Sequence, residues 1–209
     1  MKELLEVKIH KTFIKEDLKK NIINLAKNEN ADSILAKLSN KIIYKYLDVV
    51  ISSKKIHLFT CNLNKKLIGY AILADKPKYL LSEFKILKLD ILMDLITNRK
   101  FITLVDIIIS VLKIDTLNIK KENLDTFENS LNLNLLAISR DFQSKGYGVH
   151  FLKEIINTLN YQNFFKSICC ETYSKDAENF YVEKFDFCLL GQKLRIRKNL
   201  RILTKNLNR

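Results

Sequence analysis

Two of the four glycines in this chain, Gly146 and Gly148, stand between a run of apolar residues and an amphipathic helix, and that junction constrains the fold more than any other feature. Average usage would supply roughly 15 glycines at this length, so the position of each one is informative. Leu131 to Ser139 reads as a strand, and its end, Leu135-Leu136-Ala137-Ile138, is apolar at successive positions. Such a run suggests burial on both faces of a sheet. Arg140 to Gly148 reads as a connecting turn, Val149 to Leu159 as a helix, and Ser167 to Thr172 as the next strand.

The rest of the chain is organised around this unit. Glu6 to Phe13 alternates as a short strand, Lys15 to Asn28 carries a helical stripe at Leu18, Ile22 and Leu25, and a second helix is expected from Asp32 to about Val50. Ile56–Asn62 and Lys66–Ala74 form a hairpin around Asn64-Lys65, ended by Asp75-Lys76-Pro77. From Tyr79 to about Asn129 the pattern changes. One stripe holds Leu81, Phe84, Ile91, Leu92, Leu95 and Ile96, and another holds Phe101, Leu104, Val105, Ile108, Ile109 and Leu112, with Thr97 to Lys100 between them. This predicts a two-helix insertion followed by a polar stretch. Asp176 to Lys184 is a short helix, and Phe187–Arg197 with Leu200–Lys205 complete the sheet. The expectation is one α+β domain over 1–209 with an insertion at about 79–129. Its sheet is central, mixed and mostly antiparallel, flanked by helices, with the helical insertion between the third and fourth strands.

The formal net charge of +13 favours anionic partners. The basic residues are spread along the chain without a zinc-finger, basic-zipper or RNP-like pattern, so nucleic acid is not expected as a partner. Four cysteines, Cys61, Cys169, Cys170 and Cys188, form no C-x-x-C pair and read as buried free thiols, with Cys169 and Cys170 on opposite faces of a strand. A reducing compartment follows. The first residues lack a signal-peptide core, and the longest apolar run, Phe101 to Leu112, is interrupted by Asp106, so a cytoplasmic protein without stable membrane association is expected. His10, His57 and His150 cluster with no cysteine or acid in sequence, and no metal is assigned.

A turn that opens a helix can aim successive backbone N–H groups at one point, where the helix adds partial positive charge; this is an anion site. Glycine lets a diphosphate approach the backbone, and Lys145 adds a cation. The plainer reading is a tight bend that only needs positive φ. A dinucleotide fold is excluded by the absence of G-x-G-x-x-G near the first strand, and a P-loop by the absence of G-K-[ST].

The segment Leu135 to Gly148, through Gln143-Ser144-Lys145-Gly146-Tyr147-Gly148, resembles the acetyl-CoA-binding motif of the GNAT superfamily of N-acetyltransferases, a strand followed by Q/R-x-x-G-x-G/A opening a helix. Ala177-Glu178-Asn179-Phe180-Tyr181-Val182-Glu183-Lys184-Phe185-Asp186-Phe187 is similar to the family's A-x-x-F-Y-E-K-x-G-F ending. Asp186 stands at the usual Gly, Ser174 at a frequent Asn, and Ser139 at a frequent Pro. The resemblance implies acetyl-CoA as co-substrate. Its diphosphate would lie on the N–H groups of Gln143, Ser144, Lys145, Gly146, Tyr147 and Gly148, and its pantetheine arm beside Leu136, Ala137 and Ile138. Ser174 and Ala177 would line the cofactor. A backbone N–H near Ile138 would hold the oxyanion, and Tyr181 would protonate the leaving thiolate. Tyr181 also reads as core beside Phe180, Phe185 and Phe187. Glu171 is the best-placed carboxylate for a general base, although an exposed strand residue is the plainer reading.

The function expected is transfer of an acetyl group to a primary amine of a small molecule such as an amino sugar; the basic tail, with Arg195 and Arg197 on one strand face, would suit an acidic, nucleotide-linked one. A non-catalytic acyl-CoA sensor of the same fold and a basic nucleic-acid or membrane-surface binder are the alternatives. The apolar insertion is expected to pack within the subunit or across a homodimer.

Overall fold

The computed structural model describes residues 4–30, 33–79, 87–105, 116–160, 165–194 and 199–207. Its strands are β1 (Leu5–His10), β2 (Ile56–Leu63), β3 (Lys66–Ala74), β4 (Thr116–Ile119), β5 (Leu131–Ile138), β6 (Ser167–Thr172), β7 (Cys188–Leu194) and β8 (Asn199–Asn206). They form one sheet in the order β1-β2-β3-β5-β6-β8-β7-β4. Every pairing is antiparallel except β5 with β6. A parallel neighbour requires a crossover, and helix α6 (Tyr147–Asn160) supplies it.

Helices α1 (Glu16–Glu29), α2 (Ile34–Lys37), α3 (Asn40–Ser52) and α4 (Lys88–Thr97) precede β4, and α5 (Lys121–Glu128) follows it; α7 (Lys175–Phe185) lies between β6 and β7. On one face of the sheet α1 and α3 bury Ile22, Ile23, Ile43 and Leu47 against Leu58, Tyr70 and Ile72. On the other, α6 and α7 bury Phe151, Leu152, Ile155 and Tyr181 against Leu133, Ile138 and Cys170. Each of these large apolar side chains contributes about 1.5–3 kcal/mol when fully buried, so the two clusters hold β5 from both sides, and the second also covers one face of β6.

The expected helix from Asp32 to Val50 is broken. Leu38 is extended (ψ 159°), and Ser39 caps α3 by accepting from the Ile42 N–H at 3.4 Å. Asp94 of α4 accepts from the Ser39 N–H at 3.0 Å. A single apolar periodicity runs across the break, which is why the sequence reads as continuous. The strand expected to reach Phe13 ends at His10, and Phe13 is exposed. In the hairpin, Asn64 and Lys65 both take positive φ, 49° and 69°, as a two-residue turn between right-twisted strands requires.

The insertion differs most from expectation. Its helices exist at 88–97 and 101–105, separated by the 98–100 turn, while Leu81, Phe84, Ile108, Ile109 and Leu112 lie outside the described residues. The stretch expected to be merely polar folds into β4 and α5, so the Leu131 strand is the fifth, not the fourth. β4 is four residues long and, among the described residues, pairs only with β7 at the sheet edge, too short to show a period. Helix α4 pairs its acids with α3 and its cap, Asp90 to Lys45 at 2.7 Å and Asp94 to Ser39, and leaves Leu89, Met93 and Ile96 exposed. No helix among the described residues is long and apolar enough to cross a membrane. Cys61, Cys169 and Cys170 are buried and free, with Cys169 and Cys170 in clusters on opposite faces; Cys188 is exposed, against expectation. Arg195 and Arg197 lie outside the described residues.

Helix α7 ends at Asp186 in the left-handed region (φ 56°, ψ 35°), with the Asp186 and Phe187 N–H groups returning to Val182 and Tyr181 carbonyls. The family's usual glycine meets a conformational demand that Asp186 satisfies under strain, with its carboxylate at the negative end of the helix. Asp186→Gly should raise unfolding free energy by roughly 1 kcal/mol, relief of the strained φ outweighing the added unfolded-chain freedom. Urea denaturation checks this; a lower midpoint at unchanged slope contradicts it.

Candidate active site

The site begins where two strands part. β5 pairs with β6 only through Leu131–Ile168, Asn132–Cys169 and Leu133–Cys170. Its pairing with β3 continues to Gly69–Ile138. Between Leu133 and Leu135 the register with β3 shifts, leaving Asn134 as the extra residue of a bulge. A bulge bends and twists its strand. Here it also changes which side chains face which layer: Leu131 and Leu133 pack under α6, whereas beyond Asn134 it is Leu136 and Ile138 that do so, with Leu135 and Ala137 on the α1 face. The sequence pattern of continuous apolar residues has this cause.

Past the fork, β5 has no strand partner on its β6 side among the described residues. The Ser139 N–H donates to the Ile68 carbonyl at 2.8 Å. Alternation along the strand then turns the polar backbone of Ala137 toward β3 and that of Leu136 and Ile138 toward the gap. The Ile138 carbonyl is met there by the Gln143 side-chain amide at 2.7 Å. Gly69 permits the close approach of β3: a Cβ on it would stand 2.4 Å from Ile138 Cδ1 and 2.8 Å from the Ala137 oxygen.

The turn at the open end of the gap runs through a 3-10 segment, Arg140–Phe142, into α6. Ser144 and Gly146 take positive φ, 61° and 84°. Alternating hand in successive residues curls backbone N–H groups around a concavity, and the first N–H groups of α6 have no acceptor within the helix. The Gln143 N–H is engaged within the turn by the Arg140 carbonyl at 3.1 Å. Lys145 and Lys66 stand over the Phe142 ring at 5.7 and 5.3 Å, and Tyr147 meets that ring edge-on at 5.9 Å. Lys66 was not anticipated; it reaches the turn from the hairpin. Helix α6 starts at Tyr147, two residues early, which places Gly148 in its first turn.

The two glycines do different work. A Cβ on Gly146 would meet nothing within 4 Å, so its backbone conformation is what requires glycine. A Cβ on Gly148 would meet Ile138 and Phe180 at 3.6 and 3.7 Å, ordinary contact distance.

Behind the fork stands Tyr181. It is buried in the α6–α7 cluster, with Phe180 and Phe187 rings 5.3 Å away. Burial pushes its phenol well above the usual value, with the neighbouring Cys170 thiol adding to the shift. Cys170 is the last β6 residue paired with β5, so the Tyr181 ring lies beside the apex of the gap. Ser174 is the N-cap of α7 and accepts from the Ala177 N–H at 3.4 Å; Ala177 packs half-buried on the same cluster. Glu171, one residue past the fork, is half-buried and 3.6 Å from Lys193 of β7, not simply exposed. Cys170 packs in the cluster of Tyr181, so strand alternation puts Glu171 on the opposite sheet face. The structure therefore gathers Leu136, Ala137, Ile138, the 143–148 turn and Tyr181 around one gap, with Ser174 and Ala177 at the start of the helix that carries Tyr181. One participant has no sequence signal at all: Glu29, the last residue of α1, accepts from the Arg140 N–H at 3.1 Å.

No protein-family model matches this sequence, and no curated protein matches it. Solved structures do match in shape. The ribosomal-protein-S18-alanine N-acetyltransferase of Escherichia coli superposes with a TM-score of 0.59 at 11% identity, covering 99% of this chain and 96% of its own. A spermidine N-acetyltransferase chimera from Vibrio cholerae gives 0.62 at 13%, covering 98% and 99%. A GNAT-family acetyltransferase from Streptococcus pneumoniae gives 0.52 at 13%, covering 96% and 99%. The fold is the GNAT acetyltransferase fold. Within it, the resemblance of the 135–148 and 177–187 segments falls on the strand edge, turn and helix that surround the gap.

The contrast between the glycines is measurable in the ligand-free protein. Gly146→Ala should lose about 1 kcal/mol to the left-handed backbone. Gly148→Ala should be neutral or gain up to about 1 kcal/mol from helix propensity. Equal losses in chemical denaturation would contradict the assignment of backbone demand to Gly146 alone.

Proposed function

We propose that this chain is an acyl-CoA-dependent N-acetyltransferase that moves the acetyl group of acetyl-CoA to the primary amine of a small molecule. The observation that carries this reading is the open edge of β5 ending at a positive-φ turn that opens α6. An extended pantetheine arm can add to such an edge as a strand does, and a diphosphate suits a cradle of N–H groups at a helix start. Ser144 to Gly148 would hold the diphosphate, Leu136 and Ile138 the arm.

Acetyl-CoA supplies an activated thioester carbonyl. The gap-facing N–H of Ile138 would donate to the carbonyl oxygen as negative charge develops on it. The amine nitrogen bonds to the carbonyl carbon, the carbon–sulfur bond breaks, and the amine proton leaves through water or Glu171. Tyr181 returns a proton to the CoA sulfur. A buried phenol is stored neutral at pH 7, as a general acid must be. The pairing of Glu171 with Lys193 favours water over Glu171 as the route for the amine proton.

For the acceptor, the cations at the turn, Lys66 and Lys145, and the net charge of +13 favour an acidic amine over a polycation. An amino sugar, especially a nucleotide-linked one, fits that chemistry. Gly146→Glu should abolish CoA binding by calorimetry while leaving the circular dichroism spectrum unchanged. Tyr181→Phe should lower single-turnover rates by 10²-fold or more, within the usual range for general acids, at nearly unchanged CoA affinity. Unchanged affinity in folded Gly146→Glu overturns the cofactor site; CoA binding without acetyl transfer to any amine tested in the wild type would favour a sensor.

A second copy of the chain is the occupant we propose for the outer face of α4 and residues 101–105. Asp90 and Asp94 are paired, and Leu89, Met93, Phe101 and Ile102 are exposed large apolar side chains that a second copy would cover. Sedimentation should show a dimer that Met93→Glu with Phe101→Glu dissociates. A monomeric wild type that binds anionic vesicles through this face would replace the subunit contact with a membrane one.

A further inference from the structure

Glu29 stands where its own surroundings oppose it. It is the last residue of α1, at the negative pole of that helix, where a carboxylate is disfavoured. Its side chain is only 8% exposed, so it has also left most of its water. Among the described residues, the contacts that offset these costs come from one place. The Arg140 N–H donates to Oε1 at 3.1 Å, the Gln143 amide to Oε2 at 3.4 Å, and the Arg140 Nε lies 3.4 Å from Oε2. These donors are 111 and 114 residues further along the chain. Hydrogen bonds to a charged acceptor are about twice as strong as neutral ones. The next residue, Asn30, donates to the Tyr70 hydroxyl at 3.2 Å, and Tyr70 is the β3 partner of Ala137. The end of α1 is thus fastened both to the turn and to the strand pair that leads into it.

We infer that Glu29 is a positioning residue for the acyl-CoA-binding turn, an inference that rests on the acyl-CoA reading above. Gln143 carries two amide protons. One meets the Ile138 carbonyl at 2.7 Å and the other direction is held by Glu29. The carboxylate therefore fixes which way the Gln143 amide points and keeps it on the strand edge beside the gap. By holding the Arg140 N–H as well, it pins the 3-10 segment from which Ser144 and Gly146 depart into their left-handed conformations. A preformed turn gives up less freedom when a diphosphate arrives, and that difference appears as affinity. Glu29 does this without touching the ligand.

The test compares the full-length wild type with Glu29→Ala and Glu29→Gln. Glu29→Gln keeps the volume and one acceptor oxygen but presents an NH₂ to donors, so it guards against an alanine variant that fails to fold. Hydrogen exchange on the ligand-free proteins should show amides 139–148 exchanging about tenfold faster in both variants, with β2, β3 and the second half of α6 unchanged. Calorimetry with CoA should show Kd rising about tenfold, with the thermal midpoint within a few degrees of wild type. Unchanged exchange at 139–148 overturns the positioning role, as does faster exchange spread over the whole sheet, which marks Glu29 as a general stabiliser. A wild type that does not bind CoA at all overturns the acyl-CoA reading and the role built on it; the exchange comparison, which contains no ligand, tells that failure apart from a failure of Glu29 to hold the turn.

Discussion

The parting of β5 from β6 after three paired residues is the constraint on which the rest of the site depends. β6 continues along β8 to Thr172, and β5 continues along β3 to Ile138, so neither strand loses its outer partner when the two separate. The bulge at Asn134 bends β5 away while its side chains remain buried, because the strand exchanges which residues face which cluster. An unpaired strand edge is ordinarily a liability for aggregation. Here the edge lies inside the molecule, between α1 on one face and α6 on the other, and its last carbonyl is met by Gln143. What remains is a short, partly shielded row of backbone polar groups, which on the acetyltransferase reading would receive an extended pantetheine arm rather than another sheet.

Strain is placed next to this edge and is offset elsewhere. Ser144 and Gly146 take positive φ at the open end of the gap and Asp186 at the far end of α7, and such conformations cost of order 1–3 kcal/mol for residues other than glycine. The helices on either side are held by large buried side chains, Phe151, Leu152 and Ile155 on α6 and Tyr181 and Phe185 on α7. Burial on that scale can outweigh one or two strained residues at each helix end. Both helices consequently start or stop at a defined residue, which fixes the N–H groups at the start of α6 and the ring at position 181.

How far the sequence disclosed this follows from the range of the interactions involved. Strands β2, β3, β5 and β6 and helices α1, α6 and α7 show in periodicity because each buries a stripe or a run of its own. The turn shows because Gly146 is required by its backbone and glycine is scarce in this chain. Ser144 shares the conformation without the signature, and the same is true of Asp186. The break at Ser39 depends on Asp94, 55 residues away. Strand β4 is held by β7 and has too few residues to carry a pattern. Glu29 reaches the turn across 111 residues, and no local feature distinguishes it from the other acids on exposed helices. The identity of the fold was legible from two short segments; the struts that hold those segments were not.

The burial of Tyr181 bears on whether a phenol can serve as the acid. Its pKa lies well above that of a free phenol, which makes it a weaker donor measured against water. On the acetyltransferase reading, the group it must protonate is not in water. A thiolate released at the apex of the gap would lie beside Cys170, whose own thiol is pushed up by burial and by the neighbouring Cys169 and Glu171. Desolvation disfavours the charged form of both partners, so it raises the basicity of the sulfur along with the pKa of the phenol. Proton transfer depends on the difference between the two, and a shared apolar environment leaves that difference smaller than either shift. The same environment keeps Tyr181 fully protonated at neutral pH. Polar substitution at Cys170 should therefore disturb the match: Cys170→Ser, in a protein that remains folded, is expected to lower the single-turnover rate without changing CoA affinity, and an unchanged rate would separate Tyr181 chemistry from the polarity of the fork.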